Sequence, residues 1–241
     1  MDAVGTVRAT GRLPFVADPR DESYTATRLA AMVEMGLARD VEWGNANPAL
    51  DQGDYGTCVA AGTLGLLNTD HEQHNDPRFT SRDILPFFKT IAGHGPLPQG
   101  GAEVREGLKA AKAAGLITAY ALLRTESEID EWLRDHGPVL VGTAWTKQMM
   151  TPQGDLVVVD STVSDMGHCW FFHGSDLYYL GGSNSWGTVW ADHGMFRIRR
   201  THWVWLHKAG GEAWAVVQPV APPKLARPSL WSRISKLFGG K

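Results

Sequence analysis

One stretch gathers the residues most able to do nucleophilic chemistry: Asp51-Gln52-Gly53-Asp54-Tyr55-Gly56-Thr57-Cys58, followed by an apolar run to Leu67. Two glycines and Asp54 mark a turn, and the run after it reads as a helix with Cys58 in its first turn. Unpaired amides and the positive end of a helix dipole favour a thiolate over a thiol at that position. A thiolate is the nucleophilic form of cysteine, and a nearby imidazole would complete its activation. Gln52, six residues earlier, carries an amide NH2 that can face a developing oxyanion. A lone cysteine is more often a small buried hydrophobe, so the case for chemistry depends on partners elsewhere in the chain.

Those partners stand over a hundred residues downstream, where His168 and Asn184 flank a candidate hairpin turned by Gly174-Ser175-Asp176. A hairpin centred on Asp176 sets residue 168 across from residue 184, and opposed side chains in an antiparallel pair lie about 5 Å apart at Cβ. An asparagine amide oxygen there can hold the imidazole in one tautomer. Cys169 alternates to the opposite strand face and reads as packing or pocket lining. His71 and His74 have helical i,i+3 spacing, but no cysteine or carboxylate set completes a metal site, so both read as surface residues.

The elements that must position these groups change character along the chain. Residues 22–38 pattern as a helix, with Leu29, Val33 and Leu37 at four-residue spacing. Helices are also expected from Cys58 to about Thr69, from Ser81 through Phe88, from Val104 to a Gly115 cap, and from Thr125 to Gly137. The Thr125–Glu128 spacing is that of a capping box. After Pro138 the chain turns to short branched and aromatic runs: Val139–Val141, Leu156–Val159, Cys169–Phe172, Leu177–Leu180, Gly194–Ile198 and Ala213–Val217. These are strand signals. A helical half followed by antiparallel strands predicts an α+β fold of two lobes with a cleft between them.

Bulk properties set outer bounds. A chain of 241 residues with 43% hydrophobic and 20% charged residues can bury a sizeable core and is not disordered in composition. A net charge of -3 and the absence of a basic face argue against nucleic acid. No run of about 18 apolar residues marks a membrane span. The first residues lack a secretory h-region, so a cytoplasmic or assembly-associated protein is expected. Two cysteines are too few for a disulfide framework.

Taken together, Gln52-Gly53, Cys58 opening a helix, Gly137-Pro138-Val139, His168, and Asn184-Ser185-Trp186-Gly187 occur in the order found in papain-like cysteine peptidases, which this sequence resembles over roughly residues 40–200. The paired Gly100-Gly101 also matches, and Leu13-Pro14 with Asp18-Pro19-Arg20-Asp21 looks like the lead-in of short bacterial or phage members. The resemblance implies a two-lobed fold, with a helical N-terminal lobe, a β-barrel-like C-terminal lobe and the active-site cleft between them. It implies Cys58 as nucleophile, His168 as general base and acid, Asn184 as its orienting partner, and Gln52 with the Cys58 amide as oxyanion donors. Trp186 would shield the His168–Asn184 bond, and Gly101 would pair with substrate backbone in β-fashion. A polypeptide substrate is implied, with no metal or organic cofactor. Acyl transfer, cell-wall peptide hydrolysis, or a catalytically silent binding module on the same fold are the alternatives.

The sequence departs from the pattern in several places. Tyr55 removes a usual disulfide partner, Val59 replaces an aromatic residue, and His173 ends a segment that is usually apolar. His168 and Asn184 follow Cys58 by 110 and 126 residues, short of the family's ~130–150, which implies trimmed loops. The expected organisation is an N-terminal extension over 1–39, a catalytic domain over 40–218, and a Pro-rich linker with a basic tail over 219–241. In that tail Leu230, Ile234, Leu237 and Phe238 fall on one helical stripe, with Arg233 and Lys236 facing away. This pattern suits either a frayed terminus or a helix that docks on a larger assembly.

Overall fold

A computed structural model describes residues 9–16, 18, 41–45, 49–70, 79–164 and 166–218. The expected helix over 22–38, His71, His74 and the 219–241 tail lie outside the described residues. The chain order is β1 (Val41–Glu42), β2 (Gly44–Asn45), α1 (Cys58–Leu67), β3 (Thr69–Asp70), α2 (Ser81–Phe88), α3 (Val104–Ala113), β4 (Ala119–Leu123) and α4 (Glu126–Asp135). It continues through β5 (Val139–Ala144), β6 (Leu156–Val157), β7 (Gly167–Ser175), β8 (Tyr179–Ser183), β9 (Met195–Arg199), α5 (Arg200–Lys208) and β10 (Glu212–Val217).

The helix α1 carries no charged side chain, and all of its residues are buried. A helix apolar on every face belongs in the interior, and α1 lies between α2, α3 and the central strand β7. Its glycines set how close the strand comes. A Cβ at Gly62 would lie 3.1 Å from Cys169 Sγ, and one at Gly65 would lie 2.9 Å from the Phe171 ring. The polar rims are capped as the sequence predicts. Glu128 N–H donates to Thr125 Oγ1 at 3.2 Å and Thr125 N–H donates back to the Glu128 carboxylate at 3.1 Å, which starts α4.

Eight strands form one mixed sheet in the order β4-β10-β5-β7-β8-β9-β6, with β1 added beside β7, while β2 and β3 pair separately. All of its pairings are antiparallel except β6 with β9. The expected barrel-like lobe is an open sheet: β4 and β6 stand at opposite ends and do not pair. The central strand β7 is buried on both faces and separates two cores. Cys169 and Phe171 face α1, with α2, α3, Leu140 and Trp214. Trp170 and Phe172 face the other way into Trp145, Trp186, Phe196, Trp203 and α4. Most of the tryptophans are thus core residues, packed edge to face. Among the described residues no helix is long and apolar enough to cross a membrane.

Candidate active site

Cys58 opens α1, and its side chain is fully buried at 0% exposure. Thr57 precedes it and makes no side-chain cap bond to the helix. Burial nevertheless dominates there. It pushes the Cys58 thiol up to about 11, against the pull of backbone hydrogen bonds from Cys169, Gly11 and Val59 and the charge of Arg12. Burial in this arrangement thus works against the expected thiolate. The bond from the Cys169 backbone sets the Cys58 thiol beside the residue that follows His168 in β7. Cys169 itself is buried, and its thiol is also pushed up by burial.

His168 is likewise fully buried. Its ring stacks on Trp186 at 4.7 Å between centroids and meets the edge of Trp145 at 4.9 Å. His168 Nε2 lies 2.7 Å from Asn184 Oδ1, the contact expected from the sequence. The same Oδ1 accepts the Ser185 backbone N–H at 2.7 Å. A backbone N–H can only donate, so that atom is the amide oxygen, and Nε2 must carry the proton it shares. His168 Nδ1 then holds a free lone pair, and it has no hydrogen-bond partner among the described residues. Burial lowers the His168 pKa to about 4, although the Asn184 bond raises it.

The route to this contact differs from the predicted hairpin. In β7 and β8, Phe171 pairs with Ser183 and Ser175 with Leu180, with a bulge at His173. The turn runs from Asp176 to Tyr179, where Asp176 Oδ1 accepts the Tyr178 and Tyr179 amides at 2.7 Å each. Residue 184 is thus not opposite residue 168, whose strand partner is Thr143 in β5. Asn184 follows the end of β8 and is held by its own N–H on the Gly194 carbonyl at 2.8 Å. The bulge also accounts for His173: burial lowers its pKa, and its carbonyl accepts the Trp43 amide at 2.7 Å.

Gln52 is tied to the same loop. Its backbone N–H donates to the Ser185 carbonyl at 2.9 Å, and its Oε1 accepts the Ser185 hydroxyl at 2.6 Å. The other end of the amide meets two carbonyl oxygens, which only accept, so it is the Nε2 donor. That nitrogen donates to the carbonyls of Tyr55 at 2.8 Å and Ala9 at 3.0 Å.

Ala9 belongs to a segment that sequence reasoning left as irregular chain. Residues 9–15 form a strap held between Gln52, Gly56 and Ala102 on one side and Gly167 on the other. Ala102 N–H donates to the Gly11 carbonyl at 2.8 Å, Leu13 N–H to the Ala102 carbonyl at 2.9 Å, and Arg12 N–H to the Gly167 carbonyl at 3.0 Å. Arg12 and Ala102 form a parallel bridge. The pairing with the strap is made by Ala102, the neighbour of Gly101, for which a β-like pairing with substrate backbone was expected. Gly101 instead permits the approach, since a Cβ there would lie 2.6 Å from the Gly11 carbonyl oxygen. Phe15 anchors the end of the strap, edge-on to Trp214 at 6.3 Å and under the Arg105 guanidinium at 5.4 Å. Among the described residues no three His, Cys, Asp or Glu side chains converge as a metal set.

No family model matches the chain. Cathepsin Z of Onchocerca volvulus is 39% identical over 69 residues, covering 26% of this chain and 22% of that protein. The chain thus spans about a fifth of the curated relative it matches. Xylellain, a cysteine protease from Xylella fastidiosa, superposes with a TM-score of 0.66 at 18% identity, over 91% of this chain and 100% of that one. Digestive procathepsin L2 proteinase from Tenebrio molitor larval midgut gives a TM-score of 0.68 at 15% identity, over 87% and 78%. The chain therefore has the fold of the papain-like cysteine proteases that its sequence resembles.

Proposed function

We propose that the chain is a thiol-dependent peptidase that hydrolyses peptide bonds through an acyl-enzyme on Cys58. The observation that carries this reading is the His168 tautomer. Asn184 holds Nε2–H, which leaves Nδ1 as the base that a thiol proton requires. His168 Nδ1 takes the Cys58 proton, and the thiolate sulfur bonds to the substrate carbonyl carbon. Charge moves onto the carbonyl oxygen, which Gln52 Nε2–H and the Cys58 amide stabilise. The C–N bond then breaks as the imidazolium returns its proton to the leaving amine. Water, deprotonated by the same nitrogen, cleaves the thioester and frees Cys58. Gln52 already donates to a carbonyl oxygen in its place, that of Ala9. Turnover requires the strap to leave, because Ala9, Gly11 and Arg12 occupy the neighbourhood of Gln52 and Cys58.

The test is an epoxysuccinyl probe with mass mapping, followed by assay on a fluorogenic peptide library. The expected result is one adduct, on Cys58, and cleavage that disappears in Cys58→Ala. Labelling of Cys169 instead, or peptide cleavage that survives Cys58→Ala, would overturn the assignment.

A further inference from the structure

Cys58 and Cys169 are the only cysteines of the chain, and the fold sets them against each other, both reduced and both fully buried. Cys169 follows His168 in β7 and turns its side chain toward α1. A Cβ at Gly62 would lie 3.1 Å from Cys169 Sγ and 3.4 Å from the Cys169 carbonyl oxygen. Gly62 comes one turn after Cys58, and residues four apart share a helix face. The Cys169 sulfur therefore rests on the turn of α1 that Cys58 begins. From the other side, the Cys58 thiol takes a hydrogen bond from the Cys169 backbone, and negative charge on Cys58 acts on Cys169. The strand partner of Cys169 is Gly142 of β5. Neither the helix residue against this sulfur nor the strand residue beside it carries a side chain.

The peptidase mechanism gives Cys169 no task, but two neighbouring thiols have a chemistry of their own. A thiolate that meets a peroxide becomes a sulfenic acid, and a second thiol within reach condenses with it to a disulfide before irreversible oxidation sets in. Such a bond needs Cβ atoms about 3.8 Å apart, an approach that glycine at 62 favours by letting β7 close on α1. Arg12 of the strap pairs with Glu212 at 2.9 Å, and its charge lowers the pKa of both thiols. With the strap in place both sulfurs are shut away from solvent, so the oxidation belongs to the open form of the cleft.

We propose that Cys169 is the resolving cysteine of a reversible oxidation site, closing a Cys58–Cys169 disulfide after a peroxide has oxidised Cys58. The Cys58 thiolate sulfur attacks one oxygen of hydrogen peroxide, the O–O bond breaks, and the departing hydroxide takes up a proton as water. The Cys169 thiol then gives up its proton and attacks the sulfenic sulfur. The S–OH bond breaks, and hydroxide leaves with that proton as a second water. Two thiols lose two hydrogens, peroxide is reduced to water, and a dithiol reductant reverses the change. Loss of the nucleophile as a switch on cleavage rests on the peptidase reading above, whereas formation of the bond does not. The experiment treats full-length parent protein and Gly11→Ala with hydrogen peroxide, alkylates them in urea and maps the peptides without reduction. The expected product is a monomer with a Cys58–Cys169 cross-link, formed at least ~10-fold faster in Gly11→Ala and fully reversed by dithiothreitol. Cys169→Ser in the same background should instead accumulate a dimedone-reactive Cys58 and pass to sulfinic acid, so that dithiothreitol restores less than about a tenth of its Cys58 thiol. Cys169→Ala repeats this measurement where serine disturbs folding. Cleavage of a fluorogenic peptide should vanish with the cross-link and return with dithiothreitol. If no peptide is cleaved even by the reduced protein, the peptidase reading fails, and the thiol map alone decides the proposal. A parent or Gly11→Ala protein oxidised at Cys58 with Cys169 left free, cross-links only between molecules, or equal thiol recovery in the presence and absence of Cys169 would overturn it.

Discussion

Gly11→Ala should open the cleft and switch on Cys58. The new Cβ would lie 2.0 Å from the Gly56 carbonyl oxygen and 2.4 Å from its carbon. Both are backbone atoms, and Gly56 cannot retreat, because its N–H is bonded to the Pro98 carbonyl at 2.7 Å and it packs against Gly100. No rotamer relieves the contact, so the strap has to lift. Lifting removes the Gly11 hydrogen bond and the Arg12 charge, which pull the thiol pKa down, but it also admits water, which relieves the larger effect of burial. The thiol sits at about 11 with the strap in place, against an ordinary value of 9.0. Return to the ordinary value alone raises the thiolate fraction at pH 7 from about 10⁻⁴ to about 10⁻², a gain of roughly 100-fold in alkylation rate. The assay is the iodoacetamide rate at Cys58 by peptide mapping, with circular dichroism to confirm the fold. Cys169 is buried against α1 and should stay unlabelled, serving as an internal control. A Cys58 rate within about threefold of the parent protein would refute the reasoning that the strap holds this thiol protonated.

Further outcomes follow from the same geometry. In the Gly11→Ala background, His168→Ala should remove the alkylation advantage of Cys58 at mildly acidic pH, read from the pH–rate profile. Gln52→Ala should lower kcat by on the order of 10² to 10³, as for loss of one oxyanion donor. Asn184→Ala should be milder than His168→Ala, since it orients the base and transfers no proton; equal severity in a folded variant would count against that role. Acid should destabilise the fold through His168. Its folded pKa, about 4, lies below the unfolded value near 6.5, so its contribution is present above pH 6.5 and is lost as pH falls toward 4. The full linkage is about 3 kcal/mol, measurable as a fall in urea midpoint between pH 7.5 and 4.5 that His168→Gln should flatten.

The residues of the site were more legible than the path of the chain that joins them. Cys58 opens an apolar helix bounded by a Gly-rich turn, and that pattern survives any tertiary context. The Thr125–Glu128 cap is equally local. The His168–Asn184 contact was expected for a reason the structure replaces. Pairing by symmetric count about Asp176 ignores the bulge at His173, which shifts the register, and the end of β8 at Ser183. A bulge inserts one unpaired residue, which a symmetric count along the two strands does not register. The helix α5 falls between two expected strands in a stretch left unassigned from sequence, where burial of Trp203 and Leu206 on one face goes with a helix. The strap shows no periodic apolar pattern, and its bonds to Ala102 and Gly167 run through backbone. Such bonds have no side-chain signature, although Arg12 and Phe15 could have suggested anchors.

The thiol at Cys58 shows how two correct local effects are ranked. A helix N-terminus favours a negative charge by roughly 0.3–1 kcal/mol when exposed, and up to about 2 when partly buried. Burial, net of the hydrogen bonds and charge that oppose it, holds this thiol at about 11 against an ordinary 9.0, roughly 3 kcal/mol in the opposite direction. The dipole therefore loses while the strap is in place, and the sequence argument for a thiolate fails in this state without the helix being misread. The same ranking applies to His168, where desolvation outweighs the Asn184 bond. Both shifts are owed to excluded water, and both favour the neutral pair. Admitting water weakens desolvation at each group, while the helix terminus and the Asn184 bond, fixed by backbone, persist. Opening the cleft then raises the imidazole pKa as it lowers that of the thiol, so the two converge on proton transfer from sulfur to nitrogen. On this account reactivity belongs to the open state of the cleft, and the strap contacts at Gly11 and Arg12 determine how much of that state is populated.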